Sequence, residues 1–119
     1  MDKFRPDTFL PLTPVAFEIL LALADGERHG YSILQEVESR SGGAVALHAG
    51  TLYRALARLL ESDLIGELNE SPDPSSADER RRYYRLTARG IAVARAEAGR
   101  LEGQLAAART RRLLKGVRP

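Results

Sequence analysis

The spacing of apolar residues changes from a helical to an alternating period after residue 62, and this change most constrains the fold. Before it, three segments place apolar residues at three- and four-residue intervals, the spacing of amphipathic helices. After it, residues 64–70 and 82–87 alternate as strands do, and the turn-rich segment 71–78 between them can continue neither strand. The sequence therefore predicts three helices followed by a β-hairpin. The helices are expected near residues 14–24, 30–40 and 50–62.

A helical period returns at Thr87 and predicts a long helix that runs to about Leu114. Apolar and small residues step alternately by three and four positions along it, which is the spacing of a coiled coil. We therefore expect this stripe to pair two copies of the chain, although it could instead pack on its own domain. The stripe, called the seam below, consists of Ile91, Ala94, Ala98, Leu101, Leu105 and Ala108.

Composition limits the kinds of function that the chain can have. It contains no cysteine and two histidines, so thiol catalysis, disulfides and a cysteine-ligated metal are excluded and a histidine metal site is a poor fit. No segment is long and apolar enough to span a membrane, and the start lacks the apolar region of a signal peptide. We expect a cytoplasmic protein that is not an enzyme and needs no cofactor or metal.

Charge is distributed unevenly along the chain. Residues 1–79 hold 6 Lys and Arg against 14 Asp and Glu, a net charge of −8, whereas residues 80–119 hold 12 against 2, a net charge of +10. A basic segment of this kind is suited to a polyanion, and complementary halves are also suited to self-association.

The order of the predicted elements is that of a winged helix-turn-helix, a mainly α (α+β) fold. Its third helix would carry Thr51, Arg54 and Arg58 on one polar face, and a major groove admits one such helix. These arginines could instead be ordinary solvated residues that pair with Glu61 or Glu36. At the hairpin, the basic edge is formed by Arg80, Arg81 and Arg82, which could alternatively pair with neighbouring carboxylates.

Four short motifs occur in order along the chain: 20–26 (LLALADG), 29–31 (HGY), 50–56 (GTLYRAL) and 78–87 (DERRRYYRLT). Together they resemble the PadR-like transcriptional regulators, over about residues 10–112. The single C-terminal helix is similar to that of the smaller subfamily. One departure is Ala49, where the family commonly has proline.

The resemblance implies a homodimeric winged-helix repressor that binds double-stranded DNA at a pseudo-palindromic operator and is released by a small-molecule effector of unspecified identity. It also implies that Tyr31 contacts the phosphate backbone and that His29 and Gly30 shape the start of the second helix. From its position alone, we expect His29 to cap or pack against this helix rather than to sense a ligand. The expected DNA-binding residues are Tyr31, Thr51, Tyr53, Arg54, Arg58, Arg80, Arg81 and Arg82.

The resulting domain organisation has three parts. Residues 1–87 would form the DNA-binding domain with a short lead-in, residues 88–114 the dimerisation helix, and residues 115–119 a flexible tail. The alternative is a winged-helix module that binds another protein and has no preference for a DNA sequence. Sequence preference in DNA binding separates the two, because only the regulator needs it.

Overall fold

The computed structural model describes residues 3–43, 47–68 and 82–114. These residues form four α-helices and one antiparallel sheet of three strands, preceded by a single 3-10 turn at Pro6–Phe9. The prediction of a mainly helical winged helix-turn-helix is confirmed. In chain order the elements are α1 (Pro14–Leu23), β1 (Arg28–His29), α2 (Gly30–Arg40), α3 (Ala49–Glu61), β2 (Ile65–Leu68), β3 (Tyr83–Leu86) and α4 (Ala88–Thr110).

Three helices begin at a side chain that accepts a hydrogen bond from the first turn. Thr13 accepts from the backbone N–H of Ala16 before α1, and Thr87 accepts from that of Gly90 before α4. His29 accepts through Nδ1 from the N–H of Ser32 and so caps α2. Each bond satisfies one of the amides that a helix start leaves unpaired. The expectation that His29 caps the second helix is confirmed.

The sheet contains one strand more than the predicted hairpin. Its order is β1-β3-β2, and β1 pairs Arg28 with Tyr84 and His29 with Tyr83. A strand of two residues shows no alternation, so the hydrophobic period contained no sign of it. Its effect is to place the start of α2 directly beside the central strand β3.

The long helix α4 presents two different faces. Gly90, Val93 and Glu97 are buried against the domain, whereas the larger seam residues are exposed: Ile91 to 40%, Leu101 to 39% and Leu105 to 41%. The domain-facing stripe and the seam are therefore neighbouring but distinct. Within the seam Ala94 packs against the core, but packing on the chain's own domain does not account for Ile91, Leu101 and Leu105.

The end of α4 differs from the prediction. The helix ends at Thr110 rather than near Leu114, because Arg112 adopts a left-handed conformation (φ 58°) and the N–H of Leu113 bonds back to the carbonyl of Ala108. This bond pattern closes a helix and prevents its continuation. The predicted flexible tail, residues 115–119, lies outside the described residues.

A buried carboxylate holds the N-terminal lead-in onto α4. Glu97 is 2% exposed, accepts from the backbone N–H of Leu12 at 3.2 Å, and is held by Arg100 through contacts of 2.6 and 3.0 Å. Hydrogen bonding from Arg100 lowers the pKa of Glu97 below its usual value, against the opposing effect of burial. Nearby, the Arg89 guanidinium lies 4.8 Å from the centre of the Phe4 ring.

Gly90 is required where α4 crosses the start of β2. A Cβ atom at this position would lie 1.9 Å from the Leu64 carbonyl oxygen, which is backbone and cannot rotate away. We therefore expect Gly90→Ala to lower the free energy of unfolding by roughly 2–3 kcal/mol. The matched control is Gly103→Ala in the same helix, where no atom lies within 4 Å. Gly103→Ala should raise the free energy of unfolding by about 0.5–1 kcal/mol. Urea unfolding of both variants measures these changes. Equal effects of the two substitutions would contradict the close contact between Gly90 and Leu64.

Glu97 should make stability depend on pH. The pKa of Glu97 is lower in the folded chain than in the unfolded one. Its contribution to the free energy of unfolding is therefore complete above the ordinary glutamate pKa of 4.5. That contribution is lost as the pH falls through the pKa of the folded state. Glu97→Gln should cost about 1–3 kcal/mol at pH 7, and the difference from wild type should shrink towards pH 3 in thermal unfolding. The exposed Glu61→Gln is the control and should follow wild type at every pH. A Glu97→Gln deficit that stays constant over this range would contradict the assigned ion pair.

Candidate nucleic-acid interface

The third helix is amphipathic and buries one side only. Leu52, Leu56 and Leu59 are buried in the core, while Arg54 and Arg58 on the other side are exposed. The leucine spacing therefore fixes the rotation of α3 and leaves its polar face pointing to solvent. The predicted Thr51, Arg54 and Arg58 face is present, with Thr51 half-buried at its first turn.

Neither arginine of this face pairs with a carboxylate in the described part of the chain. Arg54 donates to the Thr51 hydroxyl at 3.4 Å. Glu36, which was one expected alternative partner, contacts Arg40 at 3.3 Å and Arg28 at 3.8 Å instead. The guanidinium groups of α3 are therefore available to an external acceptor.

The first turn of α3 adds backbone donors to this face. The residue that precedes the helix, His48, makes no side-chain hydrogen bond to it, and the first intrahelical bond runs from the N–H of Leu52. The start of a helix with unpaired amides attracts anions. Together with the Thr51 hydroxyl, this turn has the chemistry of a phosphate contact.

Two tyrosines extend the surface from α3 towards α2. Tyr31 is 58% exposed and Tyr53 is 53% exposed. The Tyr53 hydroxyl lies over Gly30, 2.8 Å from where a Cβ atom would stand, so the two helices meet closely at the residue that precedes Tyr31. Both aromatic side chains are therefore exposed where α2 and α3 meet.

At the wing, which is the hairpin formed by β2 and β3, the structure describes one of the three predicted arginines. Arg82 is exposed and contacts the Glu67 carboxylate across the two strands at 3.1 Å. Arg80 and Arg81, and the carboxylates Asp78 and Glu79 next to them, lie outside the described residues.

The tyrosines of β3 belong to the sheet rather than to the surface. Tyr84 is 4% exposed, and burial, followed by the nearby Glu67 charge, raises its pKa. Tyr83 packs its ring edge-on against His29 at 5.5 Å. Both side chains therefore hold the wing against the start of α2.

Sequence reasoning missed a row of polar residues that orients α2. Arg28 donates to the Ala22 carbonyl at 2.7 Å and to the Ser32 hydroxyl at 3.1 Å, and Arg40 forms ion pairs with Glu36 and Glu18. This network joins α1 to α2 along one side and fixes the helix that carries Tyr31. The signal was in the sequence, because the row has a strict four-residue spacing: Arg28, Ser32, Glu36 and Arg40.

Other kinds of site find no support in the residues that the structure describes. No group of three or more His, Asp or Glu side chains among residues 3–43, 47–68 and 82–114 is arranged to hold a metal ion. No helix formed by these residues has the length and apolar character to cross a membrane.

Comparison with known proteins agrees with this geometry. Residues 19–96 match the sequence profile of the transcriptional regulator PadR-like family. An uncharacterised 37.1 kDa protein in a Streptomyces fradiae transposon is 39% identical over 90 residues, which are 73% of this chain and 24% of that protein. The chain thus spans about a quarter of the length of this relative.

Solved structures share the fold. A transcriptional regulator from Clostridium thermocellum superposes with a TM-score of 0.69 at 26% identity, over 81% of this chain and 87% of that one. Bacillus subtilis PadR, solved in complex with operator DNA, superposes with a TM-score of 0.61 at 21% identity, over 76% of this chain and 48% of that one.

The fold and the exposed polar helix are those of a winged-helix DNA-binding domain, the class of domain that transcriptional regulators carry. More particularly, the chain belongs to the PadR-like family. This assignment confirms the family that the four sequence motifs predicted.

Proposed function

We propose that the chain is a homodimeric repressor that binds a pseudo-palindromic operator in double-stranded DNA and is released by a small-molecule effector. The observation that carries the proposal is the polar face of α3, where Arg54 and Arg58 are exposed and have no carboxylate partner among the described residues. An exposed basic face on a rigidly packed helix fits a major groove.

The residues of the interface divide into two roles. Arg58 lies in the last turn of α3 and would reach a base edge, where a guanidinium can make two hydrogen bonds to guanine. Thr51 and the first-turn amides would bind a phosphate and set the register. Tyr31 and Tyr53 would add phosphate contacts from the α2 side. At the wing, Arg80, Arg81 and Arg82 would follow the DNA backbone.

The homodimer is supported by the exposed seam on α4. Three large apolar side chains, Ile91, Leu101 and Leu105, each about 40% exposed, lie at coiled-coil spacing on a helix of 23 residues. A two-fold axis through this helix pair would present two copies of α3 to half-sites about 34 Å apart, one turn of DNA.

Release by an effector would act through the same helix pair. Gly90 and Val93 pack α4 onto the DNA-binding domain, so a change in the angle between the two long helices would move each α3 with its domain. The spacing of the recognition helices would then no longer match the half-sites. Small-angle scattering of the dimer with and without an effector measures this change in shape.

The two roles predict different effects of removing an arginine. Arg58→Ala should weaken binding to the operator by about 1–3 kcal/mol and leave binding to random DNA nearly unchanged, because it removes a base contact. Arg82→Ala should weaken binding to the operator and binding to random DNA equally, and by less than Arg58→Ala weakens binding to the operator. The reason is that a phosphate contact carries no sequence information. Fluorescence anisotropy at several salt concentrations, with an operator selected from a random pool, measures both.

Two results would contradict this assignment. If both variants lose the same binding affinity for operator and for random DNA, α3 does not contact the bases. If selection from a random pool enriches no DNA sequence and the protein binds DNA only at low salt, the result would favour a module that binds another protein. In both cases circular dichroism of the variants serves as the control for folding.

The homodimer predicts that a charge on the seam prevents assembly. Leu105→Glu should shift the mass of the chain in solution from dimer to monomer, because the carboxylate would have to be buried between two helices. Ala106→Glu is the matched control, since it places the same side chain one position away on an exposed surface outside the seam. Light scattering distinguishes the two masses, and dissociation by both variants, or by neither, would argue against the seam as the interface.

A further inference from the structure

Gly30 is the first residue of α2, and it is buried. Its φ angle is not positive, so the backbone conformation at this position does not require glycine. Alanine is also more favourable than glycine within a helix. The absence of a side chain at residue 30 therefore has no explanation in the backbone of α2 itself.

The neighbours of Gly30 supply the explanation. A Cβ atom at this position would lie 2.8 Å from the hydroxyl oxygen of Tyr53, and 3.2 and 3.3 Å from its ring carbons Cζ and Cε1. These are the three nearest atoms, and all of them belong to one side chain of α3. Residue 30 thus lacks a side chain at the place where the Tyr53 ring lies.

We propose that Gly30 is a positioning residue for DNA binding, because the space it leaves lets Tyr53 lie over the start of α2 with its hydroxyl held ready for a DNA phosphate. The inference rests on the proposed contact of Tyr53 with DNA. It adds the residue that sets the conformation of this tyrosine before DNA binds.

The backbone around Gly30 is fixed on both sides. Before it, both residues of β1 pair with the central strand β3. After it, the N–H of Ser32 donates to His29 Nδ1 at 3.1 Å and closes the first turn of α2. The Tyr53 hydroxyl, in contrast, is at the end of a rotatable side chain that is 53% exposed. A side chain at residue 30 would therefore displace the ring of Tyr53 and leave the start of α2 in place.

Tyr53 lies in the corner where the start of α2 meets α3 and β3. The preceding residue, Leu52, is buried and fixes the rotation of α3. Burial, followed by the nearby Glu67 and Tyr53 side chains, raises the pKa of Tyr84, in agreement with a position of Tyr53 beside the central strand. A side chain that is ordered in the free protein loses less conformational entropy on binding. The corner therefore favours the phosphate contact before DNA arrives.

The chemistry of a tyrosine contact predicts a characteristic loss when the ring is displaced. A phosphate contact carries no sequence information, so its loss weakens binding to operator and to random DNA by the same factor. A neutral hydroxyl releases no counterion, so the dependence of affinity on salt stays unchanged. Displacement of Arg54 or Arg58 would reduce that dependence. The salt dependence thus separates a moved Tyr53 from a general disturbance of the polar face.

Gly30→Ala is the test, and Gly103→Ala is its control, since a Cβ atom at residue 103 meets no atom within 4 Å. Gly30→Ala should weaken binding to operator and to random DNA equally, by about two- to tenfold, with the salt dependence of the unmodified chain. Gly103→Ala should bind DNA as the unmodified chain does. Fluorescence anisotropy at several salt concentrations measures these affinities. Urea unfolding of Gly30→Ala should show no loss of stability, because only an exposed ring has to move.

A double-mutant cycle identifies Tyr53 as the route of the effect. In a Tyr53→Ala background the added methyl group meets no ring, so Gly30→Ala should cause no further loss of affinity. An equal loss in both backgrounds would show that residue 30 acts through α2 and would overturn the inference. In the free protein, the contact predicts a nuclear Overhauser effect between the Gly30 Hα and Tyr53 Hε protons. Its absence would overturn the packing on which the inference depends.

The outcomes separate this inference from the proposed function. Failure of the unmodified chain to bind DNA would contradict both. If Arg58→Ala weakens operator binding and Tyr53→Ala does not, α3 still contacts DNA, but Tyr53 has no part in it and the inference is overturned. If Tyr53→Ala weakens binding and Gly30→Ala does not, Tyr53 remains a contact and Gly30 does not position it.

Discussion

The close contact between Gly90 and the Leu64 carbonyl fixes the geometry on which the other elements depend. Here the end of α3, the start of β2 and the start of α4 meet within a few residues. Thr87 caps α4, donates from its hydroxyl to the Asp63 carbonyl and from its N–H to Leu64. Asp63 adopts a left-handed conformation (φ 59°) that ends α3. The directions of α3 and α4 are therefore set by one junction of backbone contacts.

Burial of Glu97 separates the domain-facing stripe of α4 from the seam of the proposed dimer. The stripe of Gly90, Val93 and Glu97 faces the domain, and at Glu97 it also holds the lead-in through Leu12. The seam is one residue out of phase with this stripe, about 100° around the helix. A charged residue can be buried on the first stripe because Arg100 and a backbone N–H satisfy it. The second stripe, the seam, contains only apolar and small residues, as the proposed interface between helices requires.

The sequence predicts those elements that local chemistry determines. Thr13 before Pro14 and Thr87 before the last helix mark helix starts, and the leucines of α3 fix the face that carries Arg58. The exceptions depend on contacts between distant residues. Strand β1 exists because Arg28 and His29 pair with β3, and α4 ends early because Arg112 adopts a left-handed conformation that glycine usually takes. Glu97 resembles a solvated helix residue until the lead-in covers it.

In the proposed dimer, the same junction would transmit a change at the pair of α4 helices to the DNA-binding surface. The core residues of α3 pack against α1 and β2, and the polar row from Arg28 to Arg40 ties α2 to α1. The three helices and the sheet are therefore packed into one unit, to which α4 is joined at Gly90. A change in the crossing of the two long helices would rotate the whole body without repacking its core. Because α3 is packed into that unit through its buried leucines, the rotation would alter the distance between the two recognition helices of the proposed dimer and leave each of them intact.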